Sequence, residues 1–245
     1  MRIISFDIAS KSLGLAIVDF NENWKDELKQ LLVDFYSDIK DKETEEILHI
    51  ILLYINKLDS ILDNVIVPKI FDAVDLIPNK KLKETTAILR TNRLNGYLQS
   101  IDTYLSNDNI EKCKILLEFQ MGPNDKSRNV CSQILYHYSN TDNNFKNNCS
   151  LIKPVSNVIK YNTEIVGPSL KNKINLVEGF EHSFFIQKYA KSYDANKKHS
   201  ICNFKHWINI HNVEHMVKIP KKNMDDVADA HNMILAWLFI KSKLM

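Results

Sequence analysis

Asp7 closes the apolar run Ile3-Ile4-Ser5-Phe6, and Glu118 closes the run Ile115-Leu116-Leu117. Three more acids, Asp225, Asp226 and Asp229, crowd Met-Asp-Asp-Val-Ala-Asp-Ala near the C-terminus. Strands disfavour aspartate, and burying an unpaired carboxylate is costly, so Asp7 and Glu118 call for a compensating partner. On a helix, residues three apart are neighbours, so Asp226 and Asp229 repel each other unless a cation lies between them. The alternative for that group is an acidic helix start, which the N-terminal end of the helix dipole welcomes. Hard oxygen donors in this number suit Mg²⁺ or Mn²⁺ and not zinc. Two such ions about 4 Å apart activate a water and stabilise the leaving oxygen of an in-line displacement, which is the chemistry of phosphodiester hydrolysis.

The elements that must position these acids follow from the hydrophobic pattern. Residues 2–8 read as a central strand and 13–19 as a second, with Leu31-Leu32-Val33-Asp34-Phe35-Tyr36 as a third. An amphipathic helix over 43–63 carries Ile47, Ile50, Ile51, Tyr54, Leu58 and Leu62 on one stripe. Pro68 and Pro78 mark a loop or insertion at about 64–84. A helix over 84–105 repeats Leu94, Tyr97, Leu98, Ile101 and Leu105 at helical spacing, with Arg90 and Arg93 on its other side. Residues 114–119 form a buried fourth strand. Asp125 or Ser127 caps the next helix, residues 142–150 are a polar loop, and 150–153 form a fifth strand. Helices are expected between 171 and 212, and a final helix over 224–241 places Asp225, Asp229 and Asn232 on one side with Asp226 at its border. Strands alternating with helices predict an α/β sheet layered by helices.

Composition bounds the rest. A chain of 245 residues with 44% apolar and 25% charged residues is one globular domain, 1–245, with the insertion noted above. Net charge is +2, but residues 22–75 hold 13 acids against 6 bases, whereas residues 153–222 hold 12 lysines against 5 acids. That asymmetry points to a polyanionic partner engaged on one side. Four cysteines without a paired spacing read as reduced thiols of an intracellular protein. No signal peptide is expected ahead of the first strand, and no apolar run reaches the roughly 18 residues of a membrane span.

The segments RIISFDIASKSLGLAIVDF, LLEFQMGPNDKSRNV and MDDVADAHNMILAW resemble the RuvC-type Holliday junction resolvases of the ribonuclease H-like superfamily, closest to those of poxviruses and other large DNA viruses. The resemblance runs in order along nearly the whole chain, with residues 37–110 matching only as helices. It implies a ribonuclease H-like, five-stranded mixed sheet flanked by helices, and a homodimer acting on four-way DNA junctions. It also implies Mg²⁺ as cofactor, two ions per site, with Mn²⁺ as substitute. Asp7, Glu118, Asp226 and Asp229 fall on the family's catalytic and metal-ligating positions, while Asp225 is an extra neighbour that could stand in for Asp226. One departure is Ala9, where the family carries glycine after the first strand. The compartment stays open between host cytoplasm, viral factory, nucleus and organelle.

A junction-cleaving enzyme grips phosphates with Lys and Arg. The candidates are Lys126, Arg128, Lys171, Lys173, Lys197, Lys198, Lys221 and Lys222, with Gln120 on the same strand side as Glu118. His199, Cys202, His206, His211 and His215 lie close together, but their spacing fits no common zinc site, and they read as ordinary histidines. Two further enzyme readings share the acidic pattern. One is a ribonuclease H-like nuclease of flaps, branched DNA or RNA–DNA hybrids. The other is an actin-like ATPase, which 5 glycines and this chain length disfavour. A catalytically silent junction-binding protein is the non-enzymatic alternative, favoured only by Ala9.

Overall fold

The computed structural model describes residues 1–21, 24–77, 87–106, 113–118, 124–141, 149–152, 193–217 and 219–243. Its strands are β1 (Arg2–Ile8), β2 (Ser12–Phe20), β3 (Ile66–Asp75), β4 (Cys113–Glu118) and β5 (Cys149–Ile152). They form one sheet in the order β3-β2-β1-β4-β5. The first three strands are antiparallel neighbours, with residues 24–65 intervening between β2 and β3, and β4 and β5 run parallel to β1. The sheet is five-stranded and mixed, the kind the resemblance implies, although one of its five strands is not where the sequence reading places it.

The described helices are α1 (Trp24–Ile39), α2 (Thr44–Val65), α3 (Ala87–Ser106), α4 (Asp125–Thr141), α5 (Tyr193–Ile210) and α6 (Met224–Lys243). Side chains alternate across the strands, so each face of the sheet builds its own core. Ile3, Ala16, Val18 and Leu116 pack with residues of α1, α2, α5 and α6. Ile4, Phe6, Leu15, Ile17, Ile115 and Leu117 pack with Leu94, Leu98 and Ile101 of α3 and with Val130, Ile134 and Tyr138 of α4. No helix among the described residues is long and apolar enough to cross a membrane.

Two expectations are corrected. Residues 31–36 are not a strand but the second half of α1. Leu28, Leu31 and Phe35 are its buried stripe, Val33 is exposed, and Gln30 donates to Asp34 one turn on at 2.7 Å. An unbroken apolar run fits either period when read alone. Conversely, residues 66–75 are not a loop but β3. Proline is tolerated in a strand at a sheet edge or a bulge. Pro68 has both, since β3 is the outermost strand and its register with β2 shifts between Ile17 and Val18. Residues 78–86 lie outside the described ones.

The cap of α4 also differs from expectation. Asn124 takes that place, its side-chain oxygen accepting from the Ser127 N–H at 3.3 Å. Ala9 sits in the tight connection from β1 to β2, its N–H donating to the Ser12 carbonyl at 3.1 Å. Among described non-glycine residues only Asp41 and Asn212 have positive φ, so Ala9 holds ordinary backbone geometry and needs no glycine.

Candidate active site

Period-two alternation turns Asp7 toward the face covered by α6. Gly14 of β2 is its antiparallel partner. Glu118 of β4 lies one step beyond the parallel pair Phe6–Leu117, on the same face as Leu116. The acids that end two strands are therefore neighbours by register.

What brings α6 onto them is the bare backbone of Gly14. A Cβ built there would stand 2.2 Å from the Asp226 carbonyl oxygen and 2.3 Å from its carbonyl carbon. Only glycine lets the first turn of α6 lie so close to the strand. The Ser12 hydroxyl, two residues before Gly14, hydrogen-bonds the Asp226 carboxylate.

The electrostatics report crowding. Asp7 is 8% exposed, and burial pushes its carboxyl well above the usual range. The charges of Asp229, Glu118 and Asp226 push in the same direction, and a hydrogen bond links Asp7 to the Glu118 side chain. Carboxylates crowded in this way oppose one another's ionisation, and only positive charge relieves them. Asp229 is raised to about 7, chiefly by burial and then by Glu118 and Asp225, against the lowering effects of the Ser200 hydroxyl and Lys197. Asp226 is raised by burial and by Asp225, with Ser12 opposing.

A polar ladder joins α5 to α6 on the far side of these acids. Lys197 pairs with Asp225, and Ser200 donates to Asp229. Asn232 donates its side-chain amide to the Ser200 hydroxyl at 2.7 Å. At the β3 edge, Asp75 accepts from Lys222 and, at 3.1 Å, from Asn223. These pairs hold Asp75 below the usual carboxylate range.

In kind, the donors suit a divalent cation. Four carboxylates, three of them with ionisation opposed by burial and by neighbouring acids, are what hard cations relieve and ligate. Among the described residues no three His, Cys, Asp or Glu side chains already enclose one point, so ligation requires side-chain adjustment.

The structure thus brings Asp7, Glu118, Asp226 and Asp229 together, with Asp225 facing Lys197. Of the basic candidates, Lys197 and Lys222 lie beside site carboxylates and are engaged by them. Lys126 and Arg128 stand exposed on the first turn of α4, Arg128 paired with Asp125. Lys171, Lys173 and Gln120 lie outside the described residues, as do the side chains of Lys198 and Lys221. The histidine cluster holds no metal group among the described residues. His211 bonds Asp63 at 2.8 Å and stacks on Trp207 at 4.1 Å. Sequence reading missed Ser12, Asp75 and Ser200 and gave Gly14 no role. A glycine inside an apolar strand was the one signal present, since it marks close backbone approach.

Over residues 179–241 the chain matches the family model described as Poxvirus A22 protein, a stretch that holds α5 and most of α6. No curated protein matches the chain. Among solved structures, the Thermus thermophilus RuvC structure aligns at 10% identity and a TM-score of 0.45, covering 99% of this chain and 98% of that one. T. thermophilus RuvC in complex with Holliday junction substrate aligns at 11% identity and a TM-score of 0.43, covering 98% and 96%.

Proposed function

We propose that this chain is a RuvC-type endonuclease of the poxviral kind, which resolves four-way DNA junctions in recombination, repair or viral genome processing. The single observation that carries the reading is the convergence of Asp7, Glu118, Asp226 and Asp229 from two strand ends and one helix, in a fold whose sheet order is that of ribonuclease H-like nucleases. The family match over residues 179–241 points the same way as the motif resemblance to poxviral resolvases. Ala9 removes nothing from this set, so a silent junction binder gains no support from it.

Residues 1–245 act as one nuclease domain, paired in a homodimer because two symmetric cuts across a two-fold junction need two sites. Asp7, Glu118, Asp226 and Asp229 would hold two Mg²⁺ ions, or Mn²⁺ in their place. When bound, those ions supply Lewis-acid activation of the attacking water and of the leaving oxygen, giving 5′-phosphate and 3′-hydroxyl ends. The chain's own part is to present ionised oxygens. To ligate, Asp7 and Asp229 must be ionised against the burial that opposes their charge, and the ends of β1 and β4 together with α6 fix where a phosphate would meet them. Lys126, Arg128, Lys171, Lys173, Lys197, Lys198, Lys221 and Lys222 supply the phosphate contacts.

The test is cleavage of a labelled synthetic four-way junction beside matched duplex, flap and RNA–DNA hybrid, with Mg²⁺, Mn²⁺ or EDTA. Paired symmetric nicks on the junction, absent in EDTA, are expected. Cutting confined to the flap or hybrid would move the substrate to another branch of the fold's nucleases. Tight junction binding without any cutting in Mn²⁺ would overturn the enzyme reading.

A further inference from the structure

We propose that Ser200 is a positioning residue for Asp229, oriented for that role by Asn232, an inference that rests on the nuclease reading above. Ser200 is 5% exposed and Asn232 is 1% exposed, so neither side chain is free to trade its partners for water. Ser200 lies on α5, one helical turn beyond Lys197. Asp225, Asp229 and Asn232 form a stripe along α6 at spacings of four and three. The two helices therefore meet in register, Lys197 on Asp225 and Ser200 between Asp229 and Asn232.

The direction of the hydrogen bonds is fixed by a single acceptor. The Asn232 amide nitrogen reaches both the Ser200 hydroxyl at 2.7 Å and the Ser200 main-chain carbonyl at 3.4 Å. A main-chain carbonyl can only accept, so Asn232 must present its NH₂ and not its oxygen. The Ser200 oxygen is then an acceptor toward Asn232, and its one proton is left for Asp229. The chain of bonds runs one way, from Asn232 through Ser200 to one oxygen of Asp229. That oxygen is held by a donor and the carboxylate's rotation is set, leaving the other oxygen for a cation. Outer partners of this kind orient ligating carboxylates, and their loss weakens metal affinity.

The bland alternative is that the ladder only glues α5 to α6. The two roles separate in one set of measurements on the full chain. Wild type, Ser200→Ala, Ser200→Thr and Asn232→Leu are titrated with Mn²⁺ by calorimetry without DNA. Each is then assayed for junction binding in EDTA and for cleavage across a Mg²⁺ series. Ser200→Ala should weaken Mn²⁺ binding by roughly 10–100-fold and move the Mg²⁺ midpoint by the same factor, with junction affinity in EDTA unchanged. Asn232→Leu should show the same defect in smaller degree, and Ser200→Thr, which keeps the hydroxyl, should restore most of it. A folded Ser200→Ala protein with Mn²⁺ affinity within about twofold of wild type would overturn the proposal. Should that variant fail to fold, an unchanged affinity in Asn232→Leu would do so instead. Wild type that neither binds Mn²⁺ nor cuts would overturn the nuclease reading together with this one, whereas an active wild type beside an unaffected Ser200→Ala overturns this one alone.

Discussion

The main chain of Asp226 rests on Gly14. No side chain fits between them, since a Cβ on Gly14 would fall 2.2 Å from the Asp226 carbonyl oxygen, and backbone cannot swing aside as a side chain can. Because Gly14 is also the register partner of Asp7, one contact fixes the height of α6 above the strand that carries the central carboxylate.

Gly14→Ala should therefore harm cleavage more than folding. Forcing a methyl into a close backbone contact costs about 1–3 kcal/mol, which a domain of this size can survive. The displacement falls on Asp226 and Asp229, where a shift of about 1 Å costs roughly 100-fold in rate. Urea unfolding paired with junction cleavage checks this. A folded variant that cuts like wild type would mean α6 can move without consequence.

Asp7→Asn should abolish cutting and stabilise the cation-free protein. Burial and three acidic neighbours all oppose the charge on Asp7, so a neutral isostere relieves repulsion as it removes the central ligand. Junction binding should persist or tighten, because less negative charge confronts the phosphates. The melting temperature in EDTA and a gel-shift titration decide it. A lower melting temperature with lost binding would make Asp7 a structural residue.

Much of this arrangement was legible in the chain. The strands β1, β2 and β4 are clear because each is a short, mostly apolar stretch, and an acid at the end of such a stretch has few structural excuses. α6 was clear from its long apolar period after an acidic start. The segment 24–39 misled because Leu31, Leu32, Val33, Phe35 and Tyr36 satisfy a strand pattern until the preceding turn, with Leu28, is included. β3 misled because Pro68 reads as a break unless the strand is known to be at the edge. Ser200 gave no signal. Its partner Asp229 lies 29 residues away on another helix, and only packing unites them.

The pH dependence follows from Asp229. An unfolded aspartate has a pKa of about 3.9, and folded Asp229 is raised to about 7. Between those values the folded chain binds a proton that the unfolded chain does not, so this group's contribution to stability is full below about pH 4 and is lost as pH rises through 7. Asp229→Asn removes that dependence while keeping an acceptor for Ser200. In EDTA its stability advantage over wild type should thus be small at pH 5 and grow toward pH 8. Wild-type cleavage at limiting Mg²⁺ should rise over the same interval, as the carboxyl becomes free to ligate. Melting curves of both proteins from pH 5 to 8 test the point, and a constant difference would remove Asp229 as the titrating group.

Lys197 gives the last prediction, because it competes with any cation for the same field. Its ammonium pairs with Asp225, and its charge also favours ionisation of Asp226 and Asp229. Replacing it by glutamine removes one positive charge from beside the carboxylates. At pH 8, where Asp229 is largely ionised, that should strengthen Mn²⁺ binding by about 1 kcal/mol, or roughly fivefold. At pH 6 the gain should vanish, since without Lys197 the carboxyls hold their protons more firmly and a cation must displace them. Calorimetric Mn²⁺ titrations at the two pH values, without DNA, separate this from any role of Lys197 in gripping phosphate. Weaker Mn²⁺ binding by Lys197→Gln at pH 8 would show that Lys197 organises Asp225 and its neighbours for the cation and does not compete with it.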